Sequence, residues 1–234
     1  MTQTNLSINL NKFALVRNAR GENNPDLIQM AKKCLEYGAH DITVPPRPDG
    51  RHIRYNDVIE LSEWLSEKSQ EFNVEGYPSD DFIKLIMKTK PNQVTLVPDP
   101  PEALTSSFGW DIKQHESYLK QVVQQLKASG ARVSLFIDPA FNDFPSLKNV
   151  NCDRVELYTY EYAKTYPKNP SHAIKAYQEC AQKCIHNNID MNAGHDLNTK
   201  NLEFFLKTIP QIKEVSIGHA LVCDAWEWGL EKTV

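Results

Sequence analysis

Two glutamates, Glu75 and Glu156, and two histidines, His195 and His219, are the side chains of this sequence whose types and settings suit proton transfer. Each histidine follows a glycine, in Asn192-Ala193-Gly194-His195 and in Ile217-Gly218-His219-Ala220. Glycine lets an oxyanion approach backbone N–H groups closely, so the two Gly-His tracts suit a phosphate. Guanidinium groups that could share that charge come earlier: Arg17 and Arg20 in Arg17-Asn18-Ala19-Arg20-Gly21, then Arg47, Arg51 and Arg54. Proton transfer beside bound phosphate is the chemistry these types have in common. Each also has a plainer use. A glutamate at a strand end can serve a salt bridge to a nearby arginine, and arginines can form a solvated basic face, which is the expectation for Arg54.

These residues need elements to hold them, and the apolar pattern supplies a count. Strand-like runs fall at Leu6 to Leu10, Asp41 to Val44, Phe72 to Glu75, Gln93 to Val97, Arg132 to Ile137, Arg154 to Tyr158, Ile189 to Asn192 and Glu214 to Ile217. Between them lie helix-like stretches such as Pro25 to Tyr37, Tyr55 to Lys68, Ser79 to Lys88, Lys113 to Ser129 and His172 to Asn187. Asn24-Pro25 and Asn56 or Asp57 offer helix starts, while Gly38 and Gly130 offer ends. Eight strand–helix units in 234 residues give roughly 29 residues each, the spacing of a single-domain (β/α)8 TIM barrel. A doubly wound sheet is the rival, but the glycine-rich first turn it uses is absent. Pro98 to Pro101 and Pro139 to Asn151 read as long loops. In a barrel the chemistry sits at the C-terminal strand ends. Those ends carry Asn9, Asn11 and Lys12; Arg47 and His52; Glu75; Asp99 and Thr105; Asp138; Glu156; His195; and His219.

Composition narrows the function. Thirty acidic against 26 basic residues leave a net charge of −4, which disfavours a nucleic-acid surface. No apolar run is long enough for a transmembrane helix and no secretory signal opens the sequence, so a cytoplasmic protein is expected. Five cysteines, an odd number, fit free thiols. No metal site is expected, because Cys-x-x-Cys and His-Glu-x-x-His are missing. Cys180, Cys184 and His186 read as helix-surface residues, His40, His115 and His172 as structural or exposed, and Trp226 and Trp228 as packing against the barrel.

Asn9-Leu-Asn-Lys-Phe-Ala-Leu-Val-Arg-Asn-Ala-Arg-Gly21 resembles the opening motif of the pyridoxine 5′-phosphate synthase family. Asp41 to Val44 with Arg47 to Asp57, Gln93 to Pro98, Val133 to Asp138, Glu156 to Thr159, Asn192 to His195 and Ser216 to Ala220 follow in the family's order across nearly the whole chain. The resemblance implies a (β/α)8 barrel that joins 1-deoxy-D-xylulose 5-phosphate to 3-amino-2-oxopropyl phosphate, with no metal and no organic cofactor. It implies that Asn9, Arg20, Asp196, Gly218 and His219 hold the amino-ketone phosphate, and that Asn11, Lys12, Arg47, His52 and Thr105 contact the pentulose phosphate. Glu75 would accept protons, His195 would donate them, and Glu156 would stabilise cationic intermediates. The partners are then small phosphorylated molecules, and the family expectation for assembly is a homo-octamer. Three positions depart from the family pattern. Pro45 stands where the family has its first general-base histidine, Asn11-Lys12 replaces Asp-His, and Asp196 stands where many members have glycine. Pro45 opens an alternative, a paralogue or variant that keeps the phosphate sites but has lost or altered the condensation. A different barrel enzyme, such as an aldolase or isomerase, is the remote third reading.

Overall fold

Alternation of polar and apolar residues along each strand builds this molecule from the axis outward. In the computed structural model, residues 3–99 and 108–234 are described. The strands are β1 (Asn5–Asn9), β2 (Asp41–Val44), β3 (Glu71–Gly76), β4 (Gln93–Leu96), β5 (Arg132–Ile137), β6 (Arg154–Tyr158), β7 (Asp190–Gly194) and β8 (Ile212–Ile217). All pair in parallel, in chain order, and β1 closes on β8 through registers such as Ser7↔Ser216. This is the (β/α)8 barrel expected from the strand count.

The helices are α1 (Asn11–Asn18), α2 (Leu27–Glu36), α3 (Tyr55–Leu65), α4 (Asp80–Thr89), α5 (Ile112–Lys127), α6 (Phe144–Val150), α7 (Tyr160–Thr165), α8 (Pro170–His186), α9 (Leu202–Thr208), α10 (His219–Trp228) and α11 (Leu230–Thr233). Short polar side chains start several of them by accepting an otherwise unpaired backbone N–H: Asp26 from Gln29, Ser79 from Phe82 and Asn169 from His172. In α3 the predicted cap moves. Arg54 is the cap residue, and Asp57 reaches back to its N–H.

The apolar core is a sleeve between strands and helices. Ile8, Ile42, Val74, Val94, Leu135, Val155 and Ala193 are fully buried on the outer face of the sheet. The inner face is polar, with Ser7, Thr43, Asn73, Gln93, Thr95, Ser134, Glu156, Asn192 and Glu214 all buried. Hydrogen bonds cross it: Ser7 to Thr43, Asn73 Nδ2 to Thr43 Oγ1, and Thr95 Oγ1 to Asn73 Oδ1. Such bonds are what a buried polar interior requires, although Ser134 Oγ and Asn192 Nδ2 are buried without one.

After β1 the chain turns at once into α1, and three expectations are corrected. The Pro139 to Asn151 loop contains α6, which starts with Pro145 in its first turn and ends at Asn151 with φ +61°. Cys180 and Cys184 are not on the helix surface; α8 turns them inward to 1 % and 0 % exposure. Trp226 does not pack against the barrel either, being 76 % exposed on α10, and Trp228 is 45 % exposed.

Candidate active site

Glu75 and Glu156 stand inside the barrel near its C-terminal end, on β3 and β6. Glu75 accepts from Asn9 Nδ2 at 3.3 Å and from Asn73 Nδ2 at 3.5 Å, and Ser216 is a further hydrogen-bond partner. Burial, with Glu214 as a second negative group, pushes its carboxyl up to about 7 against the pull of Arg47. Glu156 is 4 % exposed and bonded to Thr95, and burial followed by the charges of Glu75 and Glu214 raises it well above the ordinary range. Desolvation disfavours the ionised form, so Glu75 exchanges protons near neutral pH and Glu156 holds its proton more tightly than an ordinary carboxyl. Gly194 makes room for Glu156, since a methyl group there would lie 2.4 Å from Oε1.

His195 follows Gly194 directly. Its Nδ1 lies 2.6 Å from Asp196 Oδ2, and its ring meets Tyr158 edge-on at 5.0 Å. Together with Asn9, Asn11, Lys12, Glu75, Glu156, Asp196, Gly218 and His219, it lines one cavity of about 470 Å³. Asn11 Oδ1 is buried there without a hydrogen-bond partner, an acceptor suited to a substrate hydroxyl or amine. Gly218 precedes α10 and passes so close to β1 that a methyl would lie 2.9 Å from Asn11 Oδ1 and 3.0 Å from the Asn9 carbonyl. That closeness leaves the N-terminus of α10 open to the cavity, where its free N–H groups and dipole favour an anion. A wider depression of about 730 Å³, among Phe13, Met30, Tyr37, Trp226 and Trp228, lies on the outer helices and carries no comparable acid–base set.

Other expected residues lie apart. Arg20 is exposed beyond α1. Arg47 is close enough to act electrostatically on Glu75, yet it borders a separate small recess with Pro46, Tyr55 and Tyr77. His52 sits among cations: burial first, then Arg47, Lys12 and Arg51, push its imidazole down to about 4. Its Nδ1 accepts the Ile53 N–H at 2.8 Å, so at neutral pH the ring proton is on Nε2. His52 can therefore donate to an anion but offers no second basic nitrogen. Thr105 falls outside the described residues. Arg17 is a correction. It is 4 % exposed and grips Asp57 through two contacts of 2.7 and 2.8 Å, which removes it from the basic rim.

Four supporting residues escaped the reading of strand ends. Thr95, Ser216 and Glu214 act on the two glutamates from inside the barrel, and Thr159 holds the loop that carries His195. The signal was present as polar residues at every second strand position, such as Gln93/Thr95 and Glu214/Ser216.

Residues 6–234 match the family model described as Pyridoxal phosphate biosynthesis protein PdxJ. The chain belongs to this family. It is 48 % identical over 231 residues to the pyridoxine 5′-phosphate synthase of Parabacteroides distasonis, covering 99 % of this chain and 96 % of that one. The same name, identity and coverage describe the relative from Cytophaga hutchinsonii. Among solved structures, the tryptophan synthase α-subunit of Pyrococcus furiosus superposes with a TM-score of 0.65 at 13 % identity, covering 99 % of this chain and 96 % of that one. The corresponding subunit from Legionella pneumophila gives 0.61 at 11 %, covering 99 % and 92 %. These two show the barrel alone; the PdxJ relatives show an enzyme of pyridoxine biosynthesis.

Proposed function

We propose that this chain is a pyridoxine 5′-phosphate synthase, condensing 1-deoxy-D-xylulose 5-phosphate with 3-amino-2-oxopropyl phosphate and releasing phosphate and water as the pyridine ring closes. One observation carries the reading: a single cavity joins two proton-exchanging glutamates and a histidine to the open N-terminus of α10. Imine formation, dehydration and ring closure are successive proton transfers, and each needs a positioned acid or base. Glu75 takes protons from carbon or nitrogen, His195 delivers them to departing oxygen, and Glu156 faces the cationic intermediates. One phosphate rests on Gly218, His219 and α10. The other meets Lys12, Arg47 and His52. The reaction needs neither a metal nor an organic cofactor.

Pro45 supports a second reading. It follows β2 in phase with the inward-facing Asp41 and Thr43, and its ring can neither give nor take a proton. With His52 already using Nδ1, its imidazole does not replace that base, so the same phosphate sites could serve an altered condensation. The test is synthesis of pyridoxine 5′-phosphate from the two substrates by the unmodified chain and by Pro45→His. Product from the unmodified chain is expected, with a rise of up to ~10²-fold in the variant if the first base is limiting. No product from either refutes the synthase reading, and product from the variant alone establishes the second.

A further inference from the structure

We propose that Asp196 is a positioning residue for His195: its carboxylate holds the imidazole by Nδ1 and leaves Nε2 as the atom that exchanges protons with substrate. The inference rests on the synthase reading for its substrate, though not for its geometry. The Asp196 Oδ2 to His195 Nδ1 distance is 2.6 Å. A neutral imidazole bound to a carboxylate through one nitrogen carries its proton there, so Nε2 first takes up the proton that the ring then delivers to the departing oxygen.

The backbone shows that this pairing is built at a cost. His195 has φ +93° and Asp196 has φ +59°, consecutive positions in the left-handed region that favours glycine. Such a conformation persists where its surroundings hold it in place. Thr159 Oγ1, completely buried, bonds the carbonyls of both Gly194 and His195. Asn198 Nδ2 and Asn201 Nδ2 donate to the Asp196 carbonyl at 3.3 and 3.2 Å. Asn201 is in turn tied down through its own carbonyl by the Tyr162 hydroxyl at 2.7 Å. Tyr158 and Tyr160 flank the ring edge-on at 5.0 and 6.5 Å, fixing its plane.

The charges that face the pair agree. The His195 hydrogen bond is the main cause that holds the Asp196 carboxyl below its ordinary range, with smaller contributions from His219 on α10 and Lys12 on α1. A carboxylate aimed at a substrate phosphate would repel it. Turned onto the ring, Asp196 leaves only its backbone to the anion.

Asp196→Asn keeps the shape and a side chain that tolerates positive φ, while Asp196→Gly relieves the backbone and deletes the carboxylate. Nitrogen-15 spectra of the histidine rings read the tautomer directly without substrate. Expected for His195 are a proton on Nδ1 in the unmodified protein, a shift towards Nε2 in both variants, and a melting temperature no lower in Asp196→Gly. In turnover, kcat should fall by ~10²-fold while KM for both substrates changes little. An Nε2–H ring in the unmodified protein, a tautomer unchanged in the variants, or a raised KM at constant kcat would overturn the proposal. Should the unmodified protein form no pyridoxine 5′-phosphate, the synthase reading falls, and the ring spectra still decide whether Asp196 sets the imidazole.

Discussion

Arg17→Ala separates a structural arginine from a phosphate ligand. Arg17 Nη1 and Nη2 meet Asp57 Oδ1 and Oδ2 at 2.7 and 2.8 Å, with both residues nearly excluded from solvent at 4 % and 7 % exposure. Asp57 Oδ2 also accepts the Arg54 N–H at 2.7 Å, capping α3, and Arg17 Nη2 reaches the His52 carbonyl at 3.3 Å. The pair thus clamps α1 onto the loop that carries Arg47 and His52. Truncating Arg17 leaves a buried carboxylate without its counter-charge, which costs about 3–5 kcal/mol. At about 2–4 °C per kcal/mol for a chain of this size, the melting temperature should fall by about 6–20 °C. Circular dichroism on heating, checked by urea titration, measures it. An Arg17→Met/Asp57→Leu double variant should recover part of the loss, because no charge is then stranded, although the α3 cap is still missing at about 1 kcal/mol. A melting temperature within about 2 °C of the unmodified protein, together with a KM raised tenfold or more, would refute this account and return Arg17 to the phosphate.

Gly194→Ala places a methyl 2.4 Å from Glu156 Oε1. Overpacking of ~1–3 kcal/mol is expected, and because the atom displaced is a reacting carboxyl, kcat should fall more than stability does; unchanged kcat in a stopped-time product assay would count against Glu156. Glu75, raised to about 7 chiefly by burial and then by Glu214, is protonated below that pH and becomes a base above it. The pH profile of kcat/KM should therefore rise through about 7, and Glu214→Gln should move that limb to lower pH by removing the like charge. A limb lying in the ordinary carboxylate range in the unmodified protein would show that Glu75 is not the base.

The strand ends could be read from sequence because a parallel barrel repeats one unit: Glu75, His195 and His219 follow apolar runs, and Glu156 lies within the sixth. Their supporting groups were harder to see. Asp57 pairs with a residue 40 positions away, and nothing local marks Arg17 as its partner rather than as a phosphate ligand. Cys180 and Cys184 read as surface residues beside His186, on a helix whose buried side is wider than the sequence pattern suggests. Trp226 erred in the opposite direction, since an aromatic residue on the last helix carries no sign of which side it faces. Asp196 was legible as a residue at a glycine position, but its purpose appears only once the His195 ring stands beside it.

The polar interior explains how one barrel holds carboxyls in two states. Parallel barrels are ordinarily filled by Val, Ile and Leu, and here that apolar set lies between strands and helices instead. The axis is then free to be charged, and the charges are sorted by height. Arg132 and Arg154 open their strands at the N-terminal end, where they pair with Glu71 and Glu214. Those contacts hold Glu71 below its ordinary range, whereas Glu214, more deeply buried and facing Asp41, is still raised to about 7. At the C-terminal end Glu75 and Glu156 meet amides and hydroxyls, which orient them without supplying a positive charge at contact distance. Placing the guanidinium groups beside them would have paired the carboxyls and lowered their proton affinity. Keeping those cations at the far end, with further acids between, preserves the affinity that proton transfer near neutral pH requires.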